Sequence, residues 1–201
     1  MNVSTAYPNA LPVGSMLMEY RVDSVLGVGG FGITYLAVDT ELERRVAVKE
    51  FFPSSAVSRG TGGNVTLTTP DMANDYSAGL DRFLKEARTL AGFSHPNIVR
   101  VNRYFKANGT GYMVMDYEEG VSLKAFLAKN PLPSEDHLKE LLAPLLDGIE
   151  KVHSAGFLHR DIKPENIYVR GNGEPVLIDF GSARQALASQ THTLTTLVTP
   201  G

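Results

Sequence analysis

Apolar residues alternate with polar ones through the first part of the chain, in short runs separated by glycine or charged residues. The runs YRVDSVLG, FGITYLAVD and RRVAVKEFF begin at Tyr20, Phe31 and Arg44, and their period of two is typical of half-buried strands. Two later runs flank the pair Asn108 and Gly109, which indicates a tight turn. The pattern predicts an antiparallel sheet.

Two longer segments change to the helical spacing of three and four residues. Apolar side chains recur from Leu80 to Leu90 and Gly92 follows, which predicts a helix over 76–91. A second amphipathic pattern predicts a long helix over 134–155, with Ser134 as N-cap and Gly156 as its stop. SLKAFLA predicts a short helix, and the runs IYVR and PVLIDFG predict a hairpin around GNGE.

The order of these elements predicts an α+β protein with two lobes, strands first and helices afterwards. Residues 1–19 are polar and carry Pro8 and Pro12, which predicts a loose leader. The first lobe covers 20–115 and includes a Gly-, Ser- and Thr-rich insertion over 53–75, where the run VTLT favours a small hairpin. Residues 116–120 form a hinge, and 121–201 form the helical lobe.

The composition excludes several classes of protein. The 201 residues are 43% hydrophobic, enough for a core, and the net charge of -3 gives no field that would attract nucleic acid or an acidic membrane. Cysteine is absent, which excludes disulfides and thiolate metal sites. The N-terminus lacks the pattern of a signal peptide, and no apolar run reaches the roughly 20 residues of a membrane span. We therefore expect a cytoplasmic protein without nucleic-acid or membrane partners.

The cluster GVGGFG at 27–32 fits the pattern G-x-G-x-x-G, with which several structures are compatible. A dinucleotide-binding fold needs a helix directly after the glycines. Glu50 lies near the spacing of its ribose-binding acid, but ITYLAV favours a strand. A Walker loop needs Gly-Lys-Ser/Thr, which is missing. A glycine hairpin that covers nucleotide phosphates and an ordinary hairpin turn both stay open from this motif alone.

Further chemistry-bearing residues follow the glycines in a defined order. Lys49 lies on a predicted strand in VAVK, and Glu86 lies on the predicted helix. Asp161 and Asn166 have the spacing H-R-D-x-x-x-x-N, and Asp179 begins DFG. Each alone has an ordinary interpretation, such as an exposed lysine or a surface ion pair. The ordered set favours a common task around a nucleotide.

These motifs resemble those of the eukaryotic-type protein kinase family from Tyr20 to Gly201, and VAVKEFFP with the insertion after it is similar to bacterial Ser/Thr kinases. The resemblance implies a protein-kinase-like bilobal fold, with an antiparallel β-sheet N-lobe carrying one helix and an incomplete, mainly α-helical C-lobe. It also implies ATP and Mg²⁺ as cofactors. The lysine in KPEN, Lys163, implies a protein substrate with a Ser or Thr acceptor.

The resemblance assigns roles to the polar residues. Asp161 would accept the proton of the substrate hydroxyl or orient it, and Lys163 would neutralise charge on the transferred group. Lys49 would bind the α- and β-phosphates, and Glu86 would hold Lys49 by an ion pair. The nucleotide site would contain Leu26 (or Val25), Gly27, Gly29, Gly30, Gly32, Ala47, Lys49, Met115, Asp116, Glu118, Ser122 and Tyr168.

The resemblance also implies metal ligands, a packing column and a control segment. Asn166 and Asp179 would hold Mg²⁺, because hard cations prefer oxygen ligands. Arg160 precedes the catalytic aspartate and would pair with a phosphate on the activation segment. The column that links the lobes would be His159, Phe180, Leu90 and Val101. The candidate phosphosites are Thr191, Thr193, Thr195 and Thr196, and Thr199 would contact the catalytic aspartate.

The chain departs from the family pattern at its end, because Gly201 falls inside the activation segment. We expect a truncated catalytic portion, in which the helix over 134–155 exposes an apolar face and supports self-association. Three functions are compatible with the sequence: a Mg²⁺/ATP-dependent Ser/Thr protein kinase, a catalytically weak or inactive nucleotide-binding scaffold, and a small-molecule kinase. HRDIKPEN and DFG fit the last of these less well.

Overall fold

The computed structural model describes residues 7–129, 134–179 and 184–185. The predictions for the activation segment lie outside these residues: Phe180, Thr191, Thr193, Thr195, Thr196 and Thr199.

The first lobe is built on an antiparallel sheet. Its elements in chain order are β1 (Met16–Leu17), β2 (Tyr20–Gly29), β3 (Gly32–Asp39), β4 (Arg44–Phe51), β5 (Val57–Arg59), β6 (Val65–Leu67), α1 (Ala73–Leu90), β7 (Val101–Ala107) and β8 (Thr110–Asp116). Within the described residues, six of the strands form one sheet in the order β1-β2-β3-β4-β8-β7. The polar and apolar alternation predicts this sheet because one residue in two along β3 is buried.

The second lobe contains two helices and short strands in the part of the chain that the structure describes. Its elements are β9 (Gly120–Ser122), α2 (Leu123–Lys129), α3 (Glu135–Ser154), β10 (Phe157–Leu158), β11 (Ile167–Arg170), β12 (Pro175–Leu177) and β13 (Arg184–Gln185). The strands β12, β11 and β9 form a small antiparallel sheet in that order, and a 3-10 turn at Pro164–Asn166 precedes β11. The α+β bilobal architecture expected from the sequence is therefore confirmed.

Local signals in the sequence define the ends of both long helices. The Ser134 side chain accepts a hydrogen bond from the backbone N–H of His137 at 3.2 Å, as an N-cap should, and Gly156 follows the last turn of α3 with φ of 77°. The helix α1 begins three residues earlier than predicted. A 3-10 turn that starts at Pro70 leads directly into it, and proline favours the first turn of a helix.

Two apolar clusters form the core. One lies between the sheet, α1 and the second lobe and includes Ala47, Leu90, Met115, Leu145 and Leu177. It crosses the boundary between the lobes, so the described parts of both lobes share one core. The other covers the opposite face of the sheet and is composed largely of Leu11, Leu17, Val22, Tyr35, Val48, Phe52, Val57 and Val114.

The described part of the predicted leader is packed rather than loose. Leu11 and Leu17 are buried in the second cluster, and the backbone N–H of Leu11 donates to the Tyr35 hydroxyl at 3.1 Å. The expectation of a loose segment is wrong here, because burying these apolar side chains stabilises the ordered form. In the described residues, none of the helices is long and apolar enough to span a bilayer.

The insertion over 53–75 forms the hairpin β5–β6 and anchors it to the sheet through a buried ion pair. Both guanidinium nitrogens NH1 and NH2 of Arg59 donate to the carboxylate of Glu50, which has no exposed surface. The hydroxyls of Tyr35 and Tyr112 donate to the same carboxylate at 2.8 and 2.6 Å. Glu50 is thus fully engaged in structure, and β3 rather than a helix follows the glycines, so the dinucleotide-binding alternative is excluded.

Candidate active site

The glycine cluster forms the tip of the β2–β3 hairpin. Gly29 pairs with Gly32 across the turn, and Phe31 between them is 76% exposed. A Cβ atom added at Gly27 or Gly30 would meet no heavy atom within 4 Å, and one at Gly29 would meet only a backbone oxygen at 3.9 Å. These three positions therefore leave open space beside the backbone, which a phosphate group can approach closely.

Gly32 has a different, structural reason to be glycine. An added Cβ would lie 2.5 Å from the backbone oxygen of Glu50 on the neighbouring strand β4. Any side chain here would push β3 away from the strand that carries Lys49. The four predicted glycines thus divide into three that keep a surface open and one that permits close strand packing.

Lys49 forms an ion pair with Asp179, which brings the first lobe and the end of β12 together. The lysine lies in the middle of β4, opposite Thr34 on β3 and Met113 on β8, and its side chain is mostly buried. Its Nζ donates to Oδ1 of Asp179, a residue in the left-handed region with φ of 59°. The predicted partner was Glu86, but among the described residues no ion pair joins Lys49 to Glu86.

Glu86 lies on α1 and lines the same cavity as Lys49, a space of about 820 Å³. Burial raises the pKa of Glu86 to about 8, Lys49 partly opposes this shift, and the negative charge of Asp179 adds to it. At neutral pH the carboxyl is therefore mostly uncharged. With Lys49 paired to Asp179, the positive charge of the lysine offsets only part of the effect of burial on Glu86.

The loop between β10 and β11 gathers three of the predicted residues by direct hydrogen bonds. Nζ of Lys163 donates to Oδ2 of Asp161 at 2.7 Å. The side-chain amide of Asn166 donates to the backbone oxygen and to Oδ2 of Asp161, at 2.9 and 3.0 Å. The hydrogen bond from Lys163, with a smaller contribution from Asn166, holds the pKa of Asp161 below its usual range. These contacts favour the ionised form of Asp161.

The same loop is fixed to the strand that delivers Asp179. The backbone N–H of Ile178 donates to the carbonyl of Asn166 at 2.8 Å. His159 is 1% exposed, its Nδ1 accepts the backbone N–H of Asp161, and its Nε2 lies 3.4 Å from the Ile178 carbonyl. Burial lowers the pKa of His159, which favours the neutral ring in this buried position.

The residues predicted to surround an adenine lie between the lobes. Ala47 on β4 pairs with Met115 on β8, and both are buried in the shared core, against which the ring of Tyr168 packs. Tyr168 on β11 pairs with Ser122 on β9. Val25 packs in the cluster on the opposite face of the sheet, whereas Leu26 is 44% exposed. Of the two alternatives left by the sequence, Leu26 is therefore the better placed to contact a ligand.

The donor set at the polar end of the site fits Mg²⁺ held together with phosphates. Asp179 offers a carboxylate, and the amide of Asn166 keeps its oxygen as an acceptor while its nitrogen donates to Asp161. In the described residues, no cluster of three or more His, Cys, Asp or Glu residues could enclose a metal ion. Two oxygen ligands suit Mg²⁺, which usually takes its remaining ligands from water and substrate phosphates.

Sequence reasoning missed one set of residues at the hinge. Arg170 at the end of β11 donates from Nε and NH2 to the two carboxylate oxygens of Glu118, at 2.7 and 2.8 Å. The resemblance predicts Glu118 as part of the nucleotide site, and nothing in the pattern predicts a side-chain partner 52 positions away. Asp116 accepts a hydrogen bond from the Asn102 side chain at 2.7 Å. The hinge acids therefore have structural partners.

Comparison with known proteins gives consistent matches. The family model described as "Protein kinase domain" matches residues 20–201. Serine/threonine-protein kinase PknA of Nostoc sp. is 36% identical over 176 residues, which cover 85% of this chain and 28% of that relative. The probable serine/threonine-protein kinase PknB of Lactococcus lactis is 31% identical over 92% of this chain and 27% of its own length.

A solved structure, PpkA-294 apo form, superposes with a TM-score of 0.80 and 40% identity. The match covers 87% of this chain and 62% of that one. The chain thus spans under a third of the length of the two curated relatives named above.

Proposed function

This chain belongs to the protein kinase family, and we propose that it is a Mg²⁺/ATP-dependent serine/threonine protein kinase, or the catalytic portion of one. The observation that carries this proposal is the arrangement of two hydrogen-bonded groups. Lys163 and Asn166 hold Asp161 ionised, and the backbone bond from Ile178 joins this loop to the segment where Asp179 meets Lys49.

The residues present fit ATP and Mg²⁺. The open backbone at Gly27 and Gly30 would cover the phosphates, and Lys49 would bind the α- and β-phosphates once it leaves Asp179. Asn166 and Asp179 would hold the metal, which supplies charge neutralisation for the transferred group. Ala47, Met115 and Tyr168 would enclose the base, and the backbone of 116–118 would hydrogen-bond its edge.

The proposed reaction transfers the γ-phosphoryl group of ATP to a Ser or Thr hydroxyl. The hydroxyl oxygen forms the new bond to phosphorus, the bond from phosphorus to the bridging oxygen of ADP breaks, and the hydroxyl proton passes to the carboxylate of Asp161. The lowered pKa keeps this carboxylate ionised, so that it can accept a hydrogen bond from the hydroxyl and orient it. Lys163, bonded to Oδ2 of Asp161, would balance the charge of the transferred group.

The ion pair between Lys49 and Asp179 favours a second candidate function. In this arrangement Lys49 is withheld from Glu86, and Asp179 is partly neutralised as a metal ligand. A chain that keeps this pairing would bind nucleotide weakly or without transfer, and would act as a scaffold or regulatory partner. The two candidates differ in one observable property, which is phosphoryl transfer.

The test is incubation of the 201-residue chain with γ-labelled ATP, Mg²⁺ and a generic basic protein, followed by acid hydrolysis. The kinase proposal predicts label on phosphoserine or phosphothreonine in the chain or the added protein, and none when EDTA removes Mg²⁺. ATP binding without any labelled phosphoamino acid would contradict it and would support the scaffold.

We also propose that α3 supports self-association. Leu146 on this helix is 62% exposed and Leu142 is 39% exposed, while Leu141 and Leu145 are buried. Exposed leucines side by side favour contact with a second apolar face. Light scattering should give a mass above 21.8 kDa that falls to the monomer value in Leu146→Glu. A monomeric wild type would refute this part of the proposal.

A further inference from the structure

Arg170 makes an extensive set of polar contacts at the hinge. Its Nε and NH2 groups donate to Oε2 and Oε1 of Glu118, which is the bidentate geometry of a strong guanidinium–carboxylate pair. The side chains are only 24% and 14% exposed, so water screens the pair weakly. The remaining nitrogen NH1 donates to the backbone oxygen of Pro96 at 2.8 Å.

These contacts tie together three segments that are distant in sequence. Glu118 lies in the hinge between β8 and β9, Pro96 lies in the loop between α1 and β7, and Arg170 ends the strand that carries Tyr168. The same strand follows the loop that holds Asn166. A single guanidinium therefore joins the hinge to both the strand that carries Tyr168 and the loop that leads from α1.

We propose that Arg170 is a positioning residue for the nucleotide, which acts through Glu118 to hold the hinge backbone in register with Tyr168. This inference rests on the proposed function, since the ligand at the hinge is the adenine of ATP. Arg170 itself need not touch the nucleotide. Its contribution is to order the hinge before binding, so that binding does not have to order it.

The other arginines at the hinge are poorer candidates for this role. Arg44 approaches Asp116 through one nitrogen at 3.5 Å, with 45% of its side chain exposed. Arg45 pairs with Glu119, and the two side chains are 55% and 68% exposed. Exposed pairs of this kind contribute little, because water screens them and ordering the side chains costs entropy. Arg44 thus provides a matched control, because it is also an arginine beside a hinge acid but does not form a buried bidentate pair.

The test is steady-state kinetics with ATP as the varied substrate. We expect Arg170→Gln to raise KM for ATP about tenfold, the scale of losing one partner of a semi-buried ion pair, with kcat within about twofold of wild type. Arg170→Lys should show most of the same rise in KM, because lysine keeps the charge but cannot form the bidentate pair with Glu118. Arg44→Gln should leave KM within about twofold.

Glu118→Gln keeps the shape of the side chain, and it provides an alternative test of the same interaction if Arg170→Gln does not fold. It should raise KM by a similar factor, and combining it with Arg170→Gln should add little, because both changes remove one interaction. A purely structural role would reduce the fraction of active protein, which lowers apparent kcat and leaves KM unchanged. Unchanged KM in a folded Arg170→Gln or Glu118→Gln variant would overturn the inference, as would an equal rise in Arg44→Gln.

Amide hydrogen exchange over residues 114–122 separates this inference from the proposed function, since it needs no nucleotide. Exchange should be faster in Arg170→Gln than in wild type and unchanged in Arg44→Gln. Equal exchange in wild type and Arg170→Gln would refute the ordering of the hinge. Failure of the wild type to bind ATP, with the exchange difference present, would instead refute the proposed function.

Discussion

The buried pair of Glu50 and Arg59 gives a sharp stability prediction. Replacing Arg59 with methionine keeps most of the apolar length of the side chain but removes the guanidinium. Among the described residues, the carboxylate of Glu50, which has no exposed surface, then keeps the hydroxyls of Tyr35 and Tyr112 as its hydrogen-bond partners. A buried charge that loses its counterion is strongly destabilising, because the cost of removing the charge from water is no longer offset by an ion pair.

The size of the effect follows from what remains around the carboxylate. Breaking a buried ion pair by removing one partner costs about 3–5 kcal/mol, and the two tyrosine hydrogen bonds place this case near the lower end. For a chain of 201 residues, each kcal/mol shifts the melting temperature by about 2–4 °C. We therefore expect Arg59→Met to lower the free energy of unfolding by about 3 kcal/mol and Tm by roughly 6–12 °C.

Urea denaturation followed by circular dichroism measures this change. The matched control is Arg45→Met, which removes an arginine from an exposed pair and should cost under about 1 kcal/mol. Neutralising the partner as well, in Glu50→Gln with Arg59→Met, should recover part of the loss, since an amide is cheaper to bury than a carboxylate. A loss below about 1 kcal/mol in Arg59→Met, or no recovery in the double variant, would refute the reasoning.

Four further variants test three separate parts of the structure. Because the pKa of Glu86 in the folded state is raised to about 8, its protonated form contributes stability that is complete below pH 4.5 and is lost as pH rises to about 8. A Glu86→Gln variant should lack this decline. Equal pH slopes for the two proteins in urea titrations would contradict the prediction. Gly32→Ala should lower the free energy of unfolding by about 1–3 kcal/mol, because its Cβ would clash with the Glu50 backbone, whereas Gly30→Ala should leave Tm unchanged and weaken ATP binding. Equal melting temperatures for the two glycine variants would count against this distinction. Ser134→Ala should cost about 1 kcal/mol by removing the N-cap of α3, and an unchanged urea midpoint would argue against it.

The periodic elements could be predicted from sequence because their signals are local. Alternation predicts β2, β3 and β4, and the Asn108-Gly109 pair predicts the turn between β7 and β8. The short strands could not be predicted in this way. Gly120–Ser122 forms β9 only because it pairs with Ile167–Arg170, more than 40 positions later, and three residues carry no period of their own.

In the candidate site, the residue types can be predicted from the sequence, but the partner of each residue cannot. The types and order of Lys49, Asp161 and Asp179 are visible in the sequence, and the structure brings Lys49 to Asp179. Which acid the lysine pairs with depends on how α1 and the segment after β12 pack beside β4, and spacing along the chain does not encode that packing. The bidentate pair between Arg170 and Glu118 also joins segments that are distant in sequence, so spacing along the chain does not predict it.

The proposed function is that Asp161 directs phosphoryl transfer in a site where Asp179 binds Mg²⁺ and Lys49 binds the phosphates of ATP. Its most direct test compares wild type with Asp161→Asn in two assays on the same preparation: transfer of label from γ-labelled ATP, and binding of Mg²⁺-ATP by calorimetry. We expect Asp161→Asn to lose transfer by about 100-fold or more while its affinity for ATP stays within a few-fold of wild type. Transfer at the wild-type rate in Asp161→Asn would contradict it.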